Sequence, residues 1–110
     1  MSTPPPYEST EPTRAALDAR AGPSLVEFGT PWCGFCRAAQ PLIAAALAAF
    51  PQVRHVRVED RSGAPLGRSF GVKLWPTLVV MRDGNELARV VRPRDAQIIE
   101  SALAKAAARS

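Results

Sequence analysis

The two cysteines of the chain, Cys33 and Cys36, stand three residues apart in Pro31-Trp32-Cys33-Gly34-Phe35-Cys36-Arg37. Residues at i and i+3 are neighbours on a helical turn, so sulfurs at this spacing meet with tolerable disulfide geometry. The chemistry open to such a pair is reversible thiol–disulfide exchange. The chain has one histidine, His55. Two thiolates and one distant imidazole fall short of the four ligands of a structural zinc site unless carboxylates or a second chain complete it. On spacing alone the pair is a redox dithiol, a structural disulfide or two core thiols. Position separates these readings. Cys33 falls at the expected start of a helix, where unpaired N–H groups and the positive end of the dipole stabilise a thiolate. Cys36 lies one turn deeper and is less exposed. The asymmetry makes Cys33 the attacking thiolate and Cys36 the resolving thiol.

The elements that must hold this pair follow from pattern. Ser24 to Gly29 (SLVEFG) is a mostly apolar run suited to a buried strand, interrupted by Glu27. Cys33 to Phe50 is rich in helix formers, and Pro41 inside it predicts a kink. Before them, Thr13 to Ala21 reads as a short helix with Leu17 as its apolar contact, stopped by Gly22-Pro23. Val53 to Glu59 places Val53, Val56 and Val58 close to strand alternation. Gly63 to Phe70 is a short helix or turn region. Leu78 to Arg82 and Glu86 to Val91 read as strands joined by an Asp83-Gly84 hairpin turn. Arg94 to Ala108 reads as an amphipathic helix with Ile98, Ile99 and Leu103 toward the core. Asp95 stands in its first turn, and Lys105 and Arg109 near its end. Residues 1–12 hold four prolines and read as a flexible tail, with a short edge strand near Tyr7 as the one ordered alternative. The strand–helix–strand unit demands a parallel crossover and the hairpin an antiparallel pair. The fold class is therefore α/β, with a mixed sheet of four strands, five if the tail pairs, flanked by helices on both faces.

The 110 residues are room for one domain, spanning 13–110 beyond the tail. With 46% hydrophobic and 22% charged residues the chain is neither disordered nor fibrous. No apolar run reaches the roughly 18 residues of a membrane helix. The first 24 residues lack the basic start and apolar core of a signal peptide, which predicts a cytoplasmic protein. The net charge of +4 comes from scattered residues, with only seven aromatics to stack on bases. Neither nucleic acid nor membrane is expected as a partner.

Taken together, five separated features resemble the thioredoxin superfamily, specifically its small single-domain members. They are the apolar strand with an acid at Glu27, Trp32-Cys33-Gly34-Phe35-Cys36, Pro41, Trp75-Pro76-Thr77, and Asp83-Gly84. The resemblance runs from Thr13 to Ala108. It implies that Pro76 is cis and, with Trp75 before it, forms a shelf whose backbone pairs with a substrate peptide. Trp32, Gly34 and Phe35 would share that surface. Glu27 matches a buried Asp beneath the second cysteine. Burial raises a carboxyl pKa, so the resemblance implies that Glu27 takes the proton of Cys36; the plain alternative is an edge acid facing solvent. Arg57 matches a Lys that pairs with that acid in many relatives, or is a solvated strand residue. Pro41 matches a kinking proline that modulates the helix.

Two positions depart from the family pattern. Phe35 stands where thioredoxins carry Pro and disulfide isomerases His, and predicts a more oxidising potential than that of a standard thioredoxin. Arg92 stands in a loop where the family usually has Gly. With Arg94, Arg37 and Lys73 it either rings the site with positive charge that steers acidic partners or forms a solvated basic rim. His55 reads as an ordinary surface or core side chain.

The function implied is reduction of protein disulfides through a Cys33–Cys36 redox disulfide. A monomer would act on disulfide-containing client proteins, reset by a thioredoxin reductase or similar reductant, with no metal or organic cofactor. Disulfide isomerisation, a glutathione-coupled role, or a non-catalytic binding or chaperone module are the competing readings.

Overall fold

The computed structural model describes residues 4–107; Arg109 lies outside them. The elements are α1 (Arg14–Asp18), β1 (Pro23–Gly29), α2 (Gly34–Ala48), β2 (Arg54–Glu59), α3 (Pro65–Ser69), β3 (Thr77–Arg82), β4 (Asn85–Val91) and α4 (Ala96–Ala107). The sheet order is β2-β1-β3-β4. β1 pairs parallel with β2 and antiparallel with β3, and β3 pairs antiparallel with β4. β1 is thus a central strand, and its residues Ser24 to Gly29 are all buried.

Alternation along the strands builds two cores. Leu25, Val53, Leu78, Val80 and Val90 face Ile43 of α2 and Ile99 and Leu103 of α4. Val26, Phe28, Val56, Val58, Val79 and Met81 face Leu17 of α1, Leu66 of α3 and Phe70. Leu17 is 3% exposed; burying it stabilises the fold by about 1.5–3 kcal/mol. Helices therefore cover both faces of the sheet.

Several boundaries differ from the sequence reading because a capping residue and a first-turn residue carry the same sequence signal. Thr13 is not the first helical residue: its Oγ1 accepts the Ala16 N–H at 3.0 Å as an N-cap. Asp95 likewise precedes α4, and its Oδ1 accepts the Ile98 N–H at 2.9 Å. Ile98 itself is exposed, while Ile99, Ala102 and Leu103 carry the packing. Pro41 sits inside α2, which continues through it as one helix. In the N-terminal segment, the Glu8 N–H donates to Arg57 O at 2.9 Å, and Arg57 Nη1 donates to Pro5 O at 2.9 Å.

Candidate active site

The site lies where β1 ends and α2 begins. Cys33 is the N-cap of α2, and its Sγ accepts the Cys36 N–H at 3.2 Å. The helix N-terminus thus aims an amide at the first sulfur, a contact that strengthens when the sulfur is charged. Both thiols are free. Cys33 is 9% exposed and Cys36 1%, so the first is the more accessible of the two. Burial, followed by a hydrogen bond to Cys33, pushes the Cys36 thiol up to about 12. Gly29 makes this packing possible, since a Cβ there would lie 2.6 Å from Cys36 Sγ.

Behind the dithiol, Glu27 is fully buried. The parallel register sets Glu27 beside Arg57 and Leu25 beside His55. Arg57 Nε donates to Glu27 Oε1 at 3.1 Å and His55 Nε2 meets the same oxygen at 2.8 Å. Gln40 Nε2 donates to Glu27 Oε2 and to the Cys36 carbonyl, each at 2.8 Å. The raised carboxyl pKa expected from burial is therefore corrected. Burial does act upward, but hydrogen bonds from His55 and Gln40 and the Arg57 charge outweigh it and hold Glu27 below the usual carboxylate range. Glu27 is also tied to Cys36 through Gln40, with its own oxygens engaged by three side chains. Arg57, 9% exposed, is its ion-pair partner rather than a solvated strand residue.

The surface around Cys33 is apolar and basic. Trp32 is 68% exposed and Phe35 59%; Trp32 meets Trp75 edge-on at 5.7 Å. Gly34 opens onto free space. The Trp75–Pro76 peptide bond is cis, and the Trp75 indole donates to buried Asp60 Oδ2 at 2.9 Å. Arg92 has φ of +50°, a left-handed conformation that favours Gly. Its N–H donates to Pro76 O at 3.0 Å, and its Nε to Trp75 O at 2.8 Å. Its guanidinium also stacks 4.0 Å from the Phe35 ring centroid. The Trp75 carbonyl, expected to face a substrate peptide, is thus covered by Arg92. Phe35, Leu42, Arg92 and Arg94 border a groove of about 370 Å³. Arg37 is exposed and donates to Pro31 O at 3.4 Å.

The sequence reading missed His55, Gln40 and Asp60. His55 was legible in principle: it lies two residues from Arg57, on the same strand face. Gln40 carried no such signal, because its contacts depend on how α2 seats on β1.

Comparisons with known proteins bear on this arrangement. The family model described as Thioredoxin matches residues 8–105. A thioredoxin of Chlamydia pneumoniae is 32% identical over 85 residues, covering 77% of this chain and 83% of its own. Protein disulfide-isomerase A3 of Gallus gallus is 37% identical over 94 residues, 84% of this chain but 19% of its own. Among solved structures, reduced thioredoxin 2 of Pseudomonas aeruginosa PAO1 superposes with a TM-score of 0.81 at 56% identity, covering 94% of both chains.

Proposed function

The chain belongs to the thioredoxin family and is a thiol–disulfide oxidoreductase, and we propose that it reduces protein disulfides, with Cys33 as nucleophile and Cys36 as resolving thiol. Its partners are disulfide-containing substrates and a reductase. The observation that carries the assignment of roles is the contrast within the pair: Cys33 Sγ receives an amide and its residue keeps some exposure, whereas Cys36 is sealed.

In the first step the Cys33 thiolate attacks one sulfur of the client disulfide. A Cys33–client bond forms, the client S–S bond breaks, and the other client sulfur leaves as thiolate. In the second step Cys36 loses its proton and attacks Cys33 Sγ. The Cys33–Cys36 bond forms, the Cys33–client bond breaks, and the client is released reduced. Glu27, held as a carboxylate, is the proposed acceptor of the Cys36 proton. Its three partners make it a weak base, which favours passing that proton on to the departing client thiolate. The reductase then returns the disulfide to the dithiol.

Client docking is assigned to Trp32, Gly34, Phe35, Trp75, Pro76 and Arg92. An incoming backbone must displace Arg92 Nε from the Trp75 carbonyl, and a carboxylate on the client offers that guanidinium a replacement partner. Acidic residues beside the client disulfide are therefore favoured. A monomer in the cytoplasm suits this reading, because a reducing compartment keeps the dithiol charged with electrons. No helix among the described residues is long and apolar enough to cross a membrane.

The reduction potential tests the direction of the reaction. Equilibration in dithiol buffers is expected to give a midpoint between roughly −270 mV and −200 mV, the range from thioredoxin to glutaredoxins. Phe35 would place it above the lower end. A value above about −180 mV, that of protein disulfide isomerase, would overturn the reductive role in favour of disulfide exchange.

A further inference from the structure

Tyr7 is the only tyrosine of the chain, and the dithiol mechanism has no role for it. Its ring lies on the edge of the buried ion pair, with the Arg57 guanidinium 4.1 Å from the ring centroid. The segment that carries it is fixed to β2 on both sides, through Pro5 O and the Glu8 N–H. The ring is half-buried, yet its hydroxyl is shielded from solvent and has no hydrogen-bond partner within bonding geometry among the described residues. A buried hydroxyl without a partner is destabilising, so its place in the fold calls for a partner that arises in another state.

Gly29 shows which partner lies at hand. A Cβ on that residue would be 2.6 Å from Cys36 Sγ and 3.5 Å from Tyr7 Oη. The thiol and the hydroxyl therefore border the same small space, kept open by the missing side chain. From the geometry we propose that Tyr7 is a positioning residue for the second step: its hydroxyl donates a hydrogen bond to Cys36 Sγ as that sulfur becomes a thiolate. This inference rests on Cys36 being the resolving thiol. The groups that face Cys36 are Cys33 from the start of α2, Glu27 from β1, the Thr30 backbone, and Tyr7 from the N-terminal segment, with Arg57 of β2 behind Tyr7. Glu27 repels a charged sulfur, the Thr30 backbone hydrogen bond favours it, and the proposed Tyr7 hydrogen bond adds a second group that favours the charge. Burial pushes the Tyr7 hydroxyl up to about 12, so it keeps its proton and stays a donor throughout the working range. No electrons pass through Tyr7, and its proton stays on oxygen.

The test separates the two steps with an aromatic disulfide, dithiobis(nitrobenzoate), which releases one coloured thiol when Cys33 attacks and a second when Cys36 resolves the adduct. Tyr7→Phe keeps the ring on Arg57 and removes only the hydroxyl. The first release is expected to stay within about twofold of the parent. The second is expected to slow about tenfold, as for one lost hydrogen bond to a charged acceptor, and its rise with pH to move to higher pH. Two releases at parental rates across the pH range, or both slowed alike, overturn the inference while leaving the dithiol mechanism intact. Absence of a first release from the parent protein would instead overturn the reading on which the inference rests. Biosynthetic replacement of the single tyrosine by 3-fluorotyrosine gives a second reading that does not depend on how Tyr7→Phe folds. This stronger donor of nearly the same shape is expected to accelerate the second release, and an unchanged rate overturns the proposal.

Discussion

Three side chains hold one buried carboxylate, and removing any of them leaves charge behind. Arg57→Leu takes away the permanent cation facing Glu27, and breaking a buried pair from one side costs about 3–5 kcal/mol. Denaturant unfolding is expected to show a loss of that size, whereas Glu27→Gln with Arg57→Leu should lose less than the two single changes together. Arg92 is the residue where selectivity for acidic clients is expected to be lost. Arg92→Gly relieves the left-handed strain at φ of +50° and uncovers the Trp75 carbonyl. Neutral disulfide peptides should then be reduced faster and the preference for peptides with flanking Glu should fall, as read from kcat/KM for the two. Equal effects on both peptides would remove Arg92 from recognition. Glu27, Cys33 and Cys36 were legible because a charge inside an apolar strand and a paired cysteine are exceptions to their surroundings. His55, Gln40 and Tyr7 were not, because each is ordinary in its own segment. They gain meaning only through strand register, helix seating and the path of the N-terminal segment.

The junction of β1 with α2 carries the chemistry, and its tolerances are those of close packing. Gly29→Ala would place a methyl 2.6 Å from Cys36 Sγ. Overpacking of this kind destabilises by about 1–3 kcal/mol, and the resolving step should slow more than the first step because the crowded group is Cys36. At the far end of the sheet, Gly84 has φ of +86° and a Cβ there would lie 2.6 Å from Asp18 O. Gly84→Ala therefore combines a backbone penalty with a clash against α1, and should cost more than the ~1 kcal/mol of conformational strain alone. Thermal unfolding checks both. The hairpin was readable from Asp83-Gly84 and the two faces of β2 from its alternating valines. The ends of α1 and α4 were less so, since Thr13 and Asp95 are as compatible with a first turn as with a cap. Ile98 and Ile99 are adjacent apolar residues on one helix, and only the packing of α4 on Leu25 and Val80 decides that Ile99 is the inward one.

Across the whole molecule the buried titratable groups define a window of pH. The folded pKa of Glu27 is lowered from 4.5, so its contribution to stability is present above the unfolded value and is lost as pH falls through the folded one. On the alkaline side, the folded pKa of Cys36 is raised from 9.0 to about 12, and that of Tyr7 from 10.0 to about 12. Their neutral forms are favoured by the fold, so stability declines as pH climbs from the unfolded values toward 12. Glu27→Gln should flatten the acid limb and Cys36→Ala part of the alkaline limb. A fold with helices on both faces of a mixed sheet was readable in the order of its segments, because each half-buried strand needed a covering helix. What joins these scales is the proposed division of labour between the more accessible thiol and the sealed one. Incubating Cys36→Ser and Cys33→Ser variants with a disulfide-bonded peptide, followed by intact mass spectrometry, tests it directly. The account predicts that Cys36→Ser accumulates a lasting mixed disulfide at Cys33 while Cys33→Ser stays unmodified. A peptide adduct forming on Cys36 in Cys33→Ser as readily as on Cys33 in Cys36→Ser would contradict it.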